Sequence, residues 1–231
     1  MFIFPLEGDN PTRHSHYFLW AIIIICFVLF FITLINGKED TFQEWGYIPA
    51  LNEHLNVFTS MFLHGGRWHI IGNMLFLWMF GDNIEDVVGH MFFLLCYLIC
   101  GIAATFTYAS FHPDSLVPLI GASGAISGLI GMYLVFFPKI SADIVFYIFY
   151  WEIHKVKTTI FVAIACWFGI QILFSFLIEA TSLGKYVRIA FSAHAGGFVA
   201  GLVLGFVFLK LGYIRRYMSN GRKHWLLGYS T

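Results

Sequence analysis

Charged side chains are scarce in this 231-residue chain: Asp, Glu, Lys and Arg make up 11% of it, against about a quarter of an ordinary soluble domain. The 13 basic residues balance the 13 acidic ones, so no net field draws the chain to nucleic acid, and no nucleic-acid partner is expected. Cysteines are few. Cys26, Cys96, Cys100 and Cys166 each sit inside a long apolar run; none forms a metal-type pair, and no disulfide framework is implied. The His-Glu-x-x-His pattern of zinc hydrolases is missing, and no carboxylate is well placed beside His64 and His69, which argues against a metal centre. Repeats of solenoid length and low-complexity tracts are absent too.

What fills the chain is apolar. Hydrophobic residues make up 59%, and Phe alone occurs 27 times. A soluble fold of this size has too much surface to hide that material, so a bilayer is the natural solvent. A spanning helix needs about 20 mostly apolar residues. Tyr17–Ile35, Met91–Phe111, Ser115–Phe137, Thr158–Ile178 and Ile189–Leu209 fit. A shorter run, Trp68–Gly81, is flanked by Arg67 and Asp82 and is read as a second span that extends past Asp82. The expected architecture is an all-α integral membrane protein of six spans. It divides into a cytoplasmic segment 1–16, a membrane domain 17–211 and a basic tail 212–231. A cleaved signal peptide is not expected, because the first apolar run starts only at Tyr17, is long enough to span, and lacks a following small-x-small pattern.

Orientation follows from Lys and Arg. With both ends inside, the inner side holds Arg13, Lys139, Lys155, Lys157, Lys210, Arg215, Arg216, Arg222 and Lys223, and the outer side holds Lys38, Arg67, Lys185 and Arg188. This asymmetry places both termini in the cytoplasm. Two connections are long. Residues 36–67, carrying Trp45, Tyr47, Phe58 and Phe62, are expected to lie partly in the outer interface. In 138–157 the apolar run Ile144–Trp151 is too short to span and reads as an interfacial segment.

Polar residues inside spans are costly, and each asks for a reason. Three places stand out: Gly121-Ala122-Ser123-Gly124 opening the fourth span, Ala193-His194 in the sixth, and His69 with Asn73 in the second. Ser123 precedes Pro138 by 15 residues and His194 precedes Lys210 by 16, so at helical rise both lie about 22–24 Å above the inner boundary. A serine and a histidine at one depth are what a nucleophile and its general base require. The sixth span carries Ala193, Gly197, Gly201 and Gly205 four apart, and the fourth answers with Gly124 and Gly128 and with Ser127 and Gly131; such faces let backbones approach. Ser123 begins a helix, so free N–H groups and the positive dipole end lie beside it, and Gly121 and Gly124 keep side chains clear. His69 and Asn73, one turn apart, are donors suited to an oxyanion.

Each residue also has a plainer reading. An intramembrane Ser serves as helix glue or bonds its own backbone; an intramembrane His serves in packing or a proton relay; His69 and Asn73 can be polar glue; Cys96 and Cys100 are packing residues. A small transporter or proton channel would place ionisable groups near the midplane on facing helices. The fourth to sixth spans carry only His194.

The stretch Thr59-Ser60-Met61-Phe62-Leu63-His64-Gly65-Gly66, then His69-x-x-x-Asn73, Gly121-Ala122-Ser123-Gly124 and Ala193-His194-x-x-Gly197-x-x-x-Gly201 resembles the rhomboid family of intramembrane serine proteases in its six-helix bacterial form. The likeness runs from about Trp45 to Gly205, and its four elements in order are far more specific than Gly-x-Ser-Gly alone. It implies Ser123 as nucleophile and His194 as base, a dyad with no acidic third member. It implies an oxyanion site of His69, Asn73 and the Ser123 backbone N–H, shaped by Gly121. It makes His64 structural or a lining of the water entry, and Gly197 and Gly201 close-packing residues. It implies transmembrane protein substrates, a bilayer, no metal or other cofactor, and a bacterial inner membrane. Two departures stand out. Trp45 is followed by Gly46 where some members have Arg, and Ser127 stands where some have a Tyr that packs on the base. A catalytically silent relative that binds and routes membrane proteins is the other reading the likeness leaves open.

Overall fold

A computed structural model describes residues 2–7, 15–51, 53–138, 140–148, 151–166, 169–170 and 191–213. After a strand β1 (Phe2–Glu7), helix α1 (Tyr17–Asn36) is a long uninterrupted apolar run that ends at Gly37, whose φ of 95° no helix continues. Helix α2 (Lys38–Trp45) follows at once, with Glu39 and Asp40 in its first turn, where the helix dipole favours acids. A short α3 (Asn56–Thr59) passes into a 3₁₀ turn over Ser60–Phe62. Helix α4 (Arg67–Val88) runs past Asp82 as expected and stops at Gly89, φ 85°, before α5 (His90–Phe111). Then come α6 (Ser123–Phe136), strands β2 (Ser141–Ile148) and β3 (Trp151–Thr159), a helical stretch α7 (160–166), and α8 (Phe191–Lys210).

Helices α1, α5 and α8 are long and apolar enough to cross a membrane. Each turns large apolar side chains outward, among them Ile24 and Phe31, Phe92 and Ile99, and Val199 and Val203. Such a surface suits lipid. Helix α6 is shorter and almost wholly buried, held between α4, α5 and α8. On the α4 side the Phe80 and Tyr133 rings meet edge to face with centroids 5.1 Å apart.

Three expectations are corrected. The bundle is helical, and beside it β1, β2 and β3 form an antiparallel sheet in that order, with Phe2 opposite Tyr147 and Ser141 opposite Thr159. The described part of the run Ile144–Trp151, Ile144–Ile148 and Trp151, therefore belongs to paired strands, not to an interfacial segment. Its aromatic and β-branched residues suit a pleated ribbon, and strand pairing satisfies backbone groups that an isolated extended segment would leave open. Thr158 and Thr159 belong to β3, so helical structure after the hairpin starts at 160. The fourth span begins at Ser123 and not at Ser115. Residues 115–122 are an extended approach instead, pinned where Tyr47 and Leu119 exchange N–H···O bonds of 3.1 and 2.8 Å. Of the expected fifth span, Thr158–Ile178, residues 167–168 and 171–178 lie outside the described residues, as do Ile189 and the basic tail from 214 on.

At the end of the bundle away from Ser123, Glu85 of α4 is buried. Its carboxylate accepts the N–H groups of Phe18 (3.1 Å) and Leu19 (2.9 Å) and a 2.7 Å hydrogen bond from His90 Nδ1. It thus caps the start of α1 from another helix, because α1 has no side-chain cap of its own. The sequence reading missed Glu85, although a carboxylate inside the extended second span was a signal for it.

Candidate active site

Ser123 and His194 come from α6 and α8, helices 71 residues apart in the chain, and His194 Nε2 lies 2.7 Å from Ser123 Oγ. That distance is a short hydrogen bond, in which the hydroxyl donates when His194 carries its proton on Nδ1. The helices reach it by backbone contact. A Cβ added at Gly197 would collide with the Gly124 carbonyl, and one at Gly201 with the Gly128 carbonyl. On its other face α6 is equally tight, since a Cβ at Gly124 would lie 2.5 Å from that of Ala104 on α5.

Gly121 turns the chain into α6 with φ 122°, and its N–H donates to the Ser60 carbonyl at 2.8 Å. A Cβ there would sit 2.8 Å from His69 Nε2 and 3.8 Å from Ser123 Oγ, so the missing side chain leaves a space that both atoms face. The His69 tautomer follows from its other nitrogen. Gly65 N–H donates to Nδ1 at 3.3 Å, which leaves Nε2 to carry the proton and point it into that space. The first N–H groups of α6 have no partner within the helix.

These groups open on a cavity of about 670 Å³. Ser60, His69, Gly121, Ser123, Gly124 and His194 line it, together with Thr105 and Tyr108 of α5, which the sequence reading did not single out. Asn73 follows His69 by one turn, is buried, and leaves Nδ2 without a hydrogen-bond partner. It does not line the cavity itself. His64 packs its ring edge-on to His69, centroids 5.1 Å apart, and donates from Nδ1 to the Phe62 carbonyl at 3.2 Å. Burial, with the His69 charge second, pushes its pKa down to about 3, so it is neutral in the fold. Ser127 is fully buried one turn beyond Ser123, and its hydroxyl has no hydrogen-bond partner. Among the described residues no three His, Cys, Asp or Glu side chains group as a metal site.

Lipid-facing helices closed around a hydrogen-bonded serine and histidine define an integral membrane protein with a buried polar site near one end of its bundle. Residues 51–211 match the Rhomboid domain family. Similar proteins include RHOMBOID-like protein 5 of Arabidopsis thaliana, 30% identical over 173 residues, covering 73% of this chain and 50% of that protein. Rhomboid protease GluP of Bacillus subtilis (strain 168) is 33% identical over 135 residues, covering 55% and 25%. Rhomboid protein 1, mitochondrial, of Saccharomyces cerevisiae (strain ATCC 204508 / S288c) is 27% identical over 161 residues, covering 68% and 42%. The chain belongs to the rhomboid family, and it spans about half the length, or less, of these curated relatives.

Proposed function

We propose that this chain is an intramembrane serine endopeptidase that cuts transmembrane segments of membrane proteins near the outer membrane face. The observation that carries the proposal is the 2.7 Å Ser123–His194 hydrogen bond opening on a cavity with a histidine N–H aimed into it. His194 Nε2 takes the Ser123 proton as Oγ attacks the scissile carbonyl carbon. The carbonyl oxygen becomes an oxyanion, met by His69 Nε2–H and the Ser123 backbone N–H in the room that Gly121 leaves; the unpartnered Asn73 amide, one turn beyond His69 and off the cavity wall, would join them by turning its side chain toward the site. The intermediate collapses, the C–N bond breaks, and the imidazolium gives its proton to the departing amine. Water then adds to the acyl-enzyme ester while His194 accepts its proton. The C–O bond to Ser123 breaks, and Oγ recovers a proton from the imidazolium. No metal or nucleotide enters any step. Because water is a reactant, a wet site near one face suits the chemistry better than one at the midplane. His64 supports the ring of His69, and Gly124, Gly197 and Gly201 let the two helices close.

The name of the Bacillus relative, a rhomboid protease, supports the reading. The distribution of Lys and Arg supports cytoplasmic termini. The pairing of β1 with β2 agrees, because it brings the segment before α1 and the one after α6 to the same side.

The test is cleavage of a single-helix membrane substrate by purified protein in detergent, with Ser123→Ala alongside. The expected result is cleavage that a serine-reactive inhibitor blocks and that falls at least about 10³-fold in the variant. Equal cleavage by both proteins would remove Ser123 from the mechanism. Cleavage by neither, across a panel of substrates, would favour a silent relative that binds membrane proteins.

A further inference from the structure

The loop before α4 supplies the N–H that sets the His69 tautomer, yet it has little of its own to hold it. Gly65 and Gly66 have no side chains. Gly66 caps α4 without a side-chain bond, and a Cβ built on it would meet nothing within 4 Å. Glycine pairs have the widest backbone freedom of any dipeptide. The Ile70 N–H holds the Gly66 carbonyl at 3.1 Å and Ile120 Cδ1 lies 3.6 Å from the place of a Gly65 Cβ, but the Gly65 carbonyl itself is bonded from outside by Lys38, whose Nζ donates to it at 3.0 Å. Lys38 stands on a fixed platform. Asn56 Nδ2 donates to the Glu44 and Gly46 carbonyls, both at 3.1 Å, and Thr59 Oγ1 donates to the Trp45 carbonyl at 2.6 Å, fastening α2 to α3. Although Glu39 and Asp40 are neighbours on α2, the Lys38 ammonium has no ion-pair partner among the described residues, and the Gly65 carbonyl takes its proton.

We propose that Lys38 is a positioning residue for the oxyanion site, acting through Gly65 on His69. The ammonium restrains residue 65 by its carbonyl, and residue 65 in turn presents its N–H to His69 Nδ1. With that donor in place, Nε2 keeps the proton and faces the space in front of Gly121. Without Lys38 the glycine pair moves, Nδ1 loses its donor, and the imidazole divides between two tautomers, one of which offers the site a lone pair instead of a proton. The consequence for catalysis rests on the serine hydrolase reading; the consequence for the tautomer does not.

The experiment compares wild type, Lys38→Met and Lys38→Arg in detergent, with Ser123→Ala as control. Kinetics are read on a membrane substrate, the His69 tautomer by ¹⁵N chemical shifts of labelled histidine, and the thermal midpoint alongside. An oxyanion donor acts in the transition state more than on bound substrate, so the expected change in Lys38→Met is a fall in kcat of about tenfold with KM unchanged. Its His69 signals should shift from Nε2-protonated toward a mixture, its thermal midpoint should stay at the wild-type value, and Lys38→Arg should recover most of the rate. Unchanged tautomer signals in Lys38→Met would overturn the proposal. So would a kcat loss that tracks a lowered thermal midpoint and that Arg does not rescue. If Ser123→Ala still cleaves, the hydrolase reading fails, while the tautomer measurement still decides the role of Lys38.

Discussion

Gly121 carries two demands at once. Its φ of 122° is one that L side chains rarely adopt, and the place of its missing Cβ is 2.8 Å from His69 Nε2. Gly121→Ala therefore strains the turn and fills the space assigned to the oxyanion. The expected outcome is a fall in kcat of about 10² or more, measured on a membrane substrate. Substrate binding should change much less, because the methyl meets the reacting oxygen and not the rest of the substrate. Part of this was legible in the sequence. A glycine two residues before a helix-opening serine marks a tight approach, and a His-x-x-x-Asn pair marks one polar face. The tautomer of His69 was not legible, because it depends on a backbone N–H from the preceding loop. The position of Asn73 off the cavity wall was also beyond reach, since spacing places two residues on a face without saying what each one meets.

Between elements, α6 and α8 touch backbone to backbone, and association of helices in a membrane rests on such packing. Gly201 lies about one turn beyond Gly197 on α8, where a Cβ would run into the carbonyl of Gly128. Because backbone and not a flexible side chain is in the way, relief needs the helices to part. Gly201→Leu is expected to cost at least about 3 kcal/mol of folding stability and to separate His194 from Ser123. Thermal unfolding in detergent and residual cleavage would both report it, and activity should be lost in the variant molecules that remain folded. The small-residue stripe was visible in the sequence, and so was the common depth of Ser123 and His194. Which glycine meets which carbonyl was not, because periodicity describes one helix at a time. The start of α6 was misplaced by eight residues for a related reason. The stretch from Ser115 is apolar enough to continue a span, but its pairing with Tyr47 holds it extended.

For the molecule as a whole, pH enters through groups that the fold holds neutral. His64 is shifted down to about 3 from 6.5 by burial. Its folded pKa lies below its unfolded one, so below about pH 6.5 the unfolded chain takes up a proton that the folded chain refuses. This stability is complete above that pH and is lost as pH falls toward 3. The thermal midpoint of the wild type should therefore decline through that window, and His64→Phe should show a shallower decline. A slope identical in the two proteins would place the effect elsewhere. The same scale holds the largest departure from expectation, the sheet that joins β1 to the β2–β3 hairpin. Its sequence reads as apolar and aromatic in either geometry, and only strand pairing, with β3 next to it and with β1 from the far end of the chain, distinguishes a ribbon from a segment lying in the interface.

Composition and periodicity were enough to name the solvent this protein lives in, three of the helices long and apolar enough to cross it, and the residue types of the candidate site. Those properties are sums over composition, or repeats along a single helix, and they survive without knowledge of any neighbour. Tertiary structure decided the 2.7 Å contact between Ser123 and His194, the donor that sets His69, the carboxylate of Glu85 capping α1, and the strand order of the sheet. Each of these rests on directional bonds that form only within about 3.3 Å. Most join residues dozens of positions apart, and the one within a short loop still needs the following helix in place, so the approach of packed backbones decides them and local pattern does not.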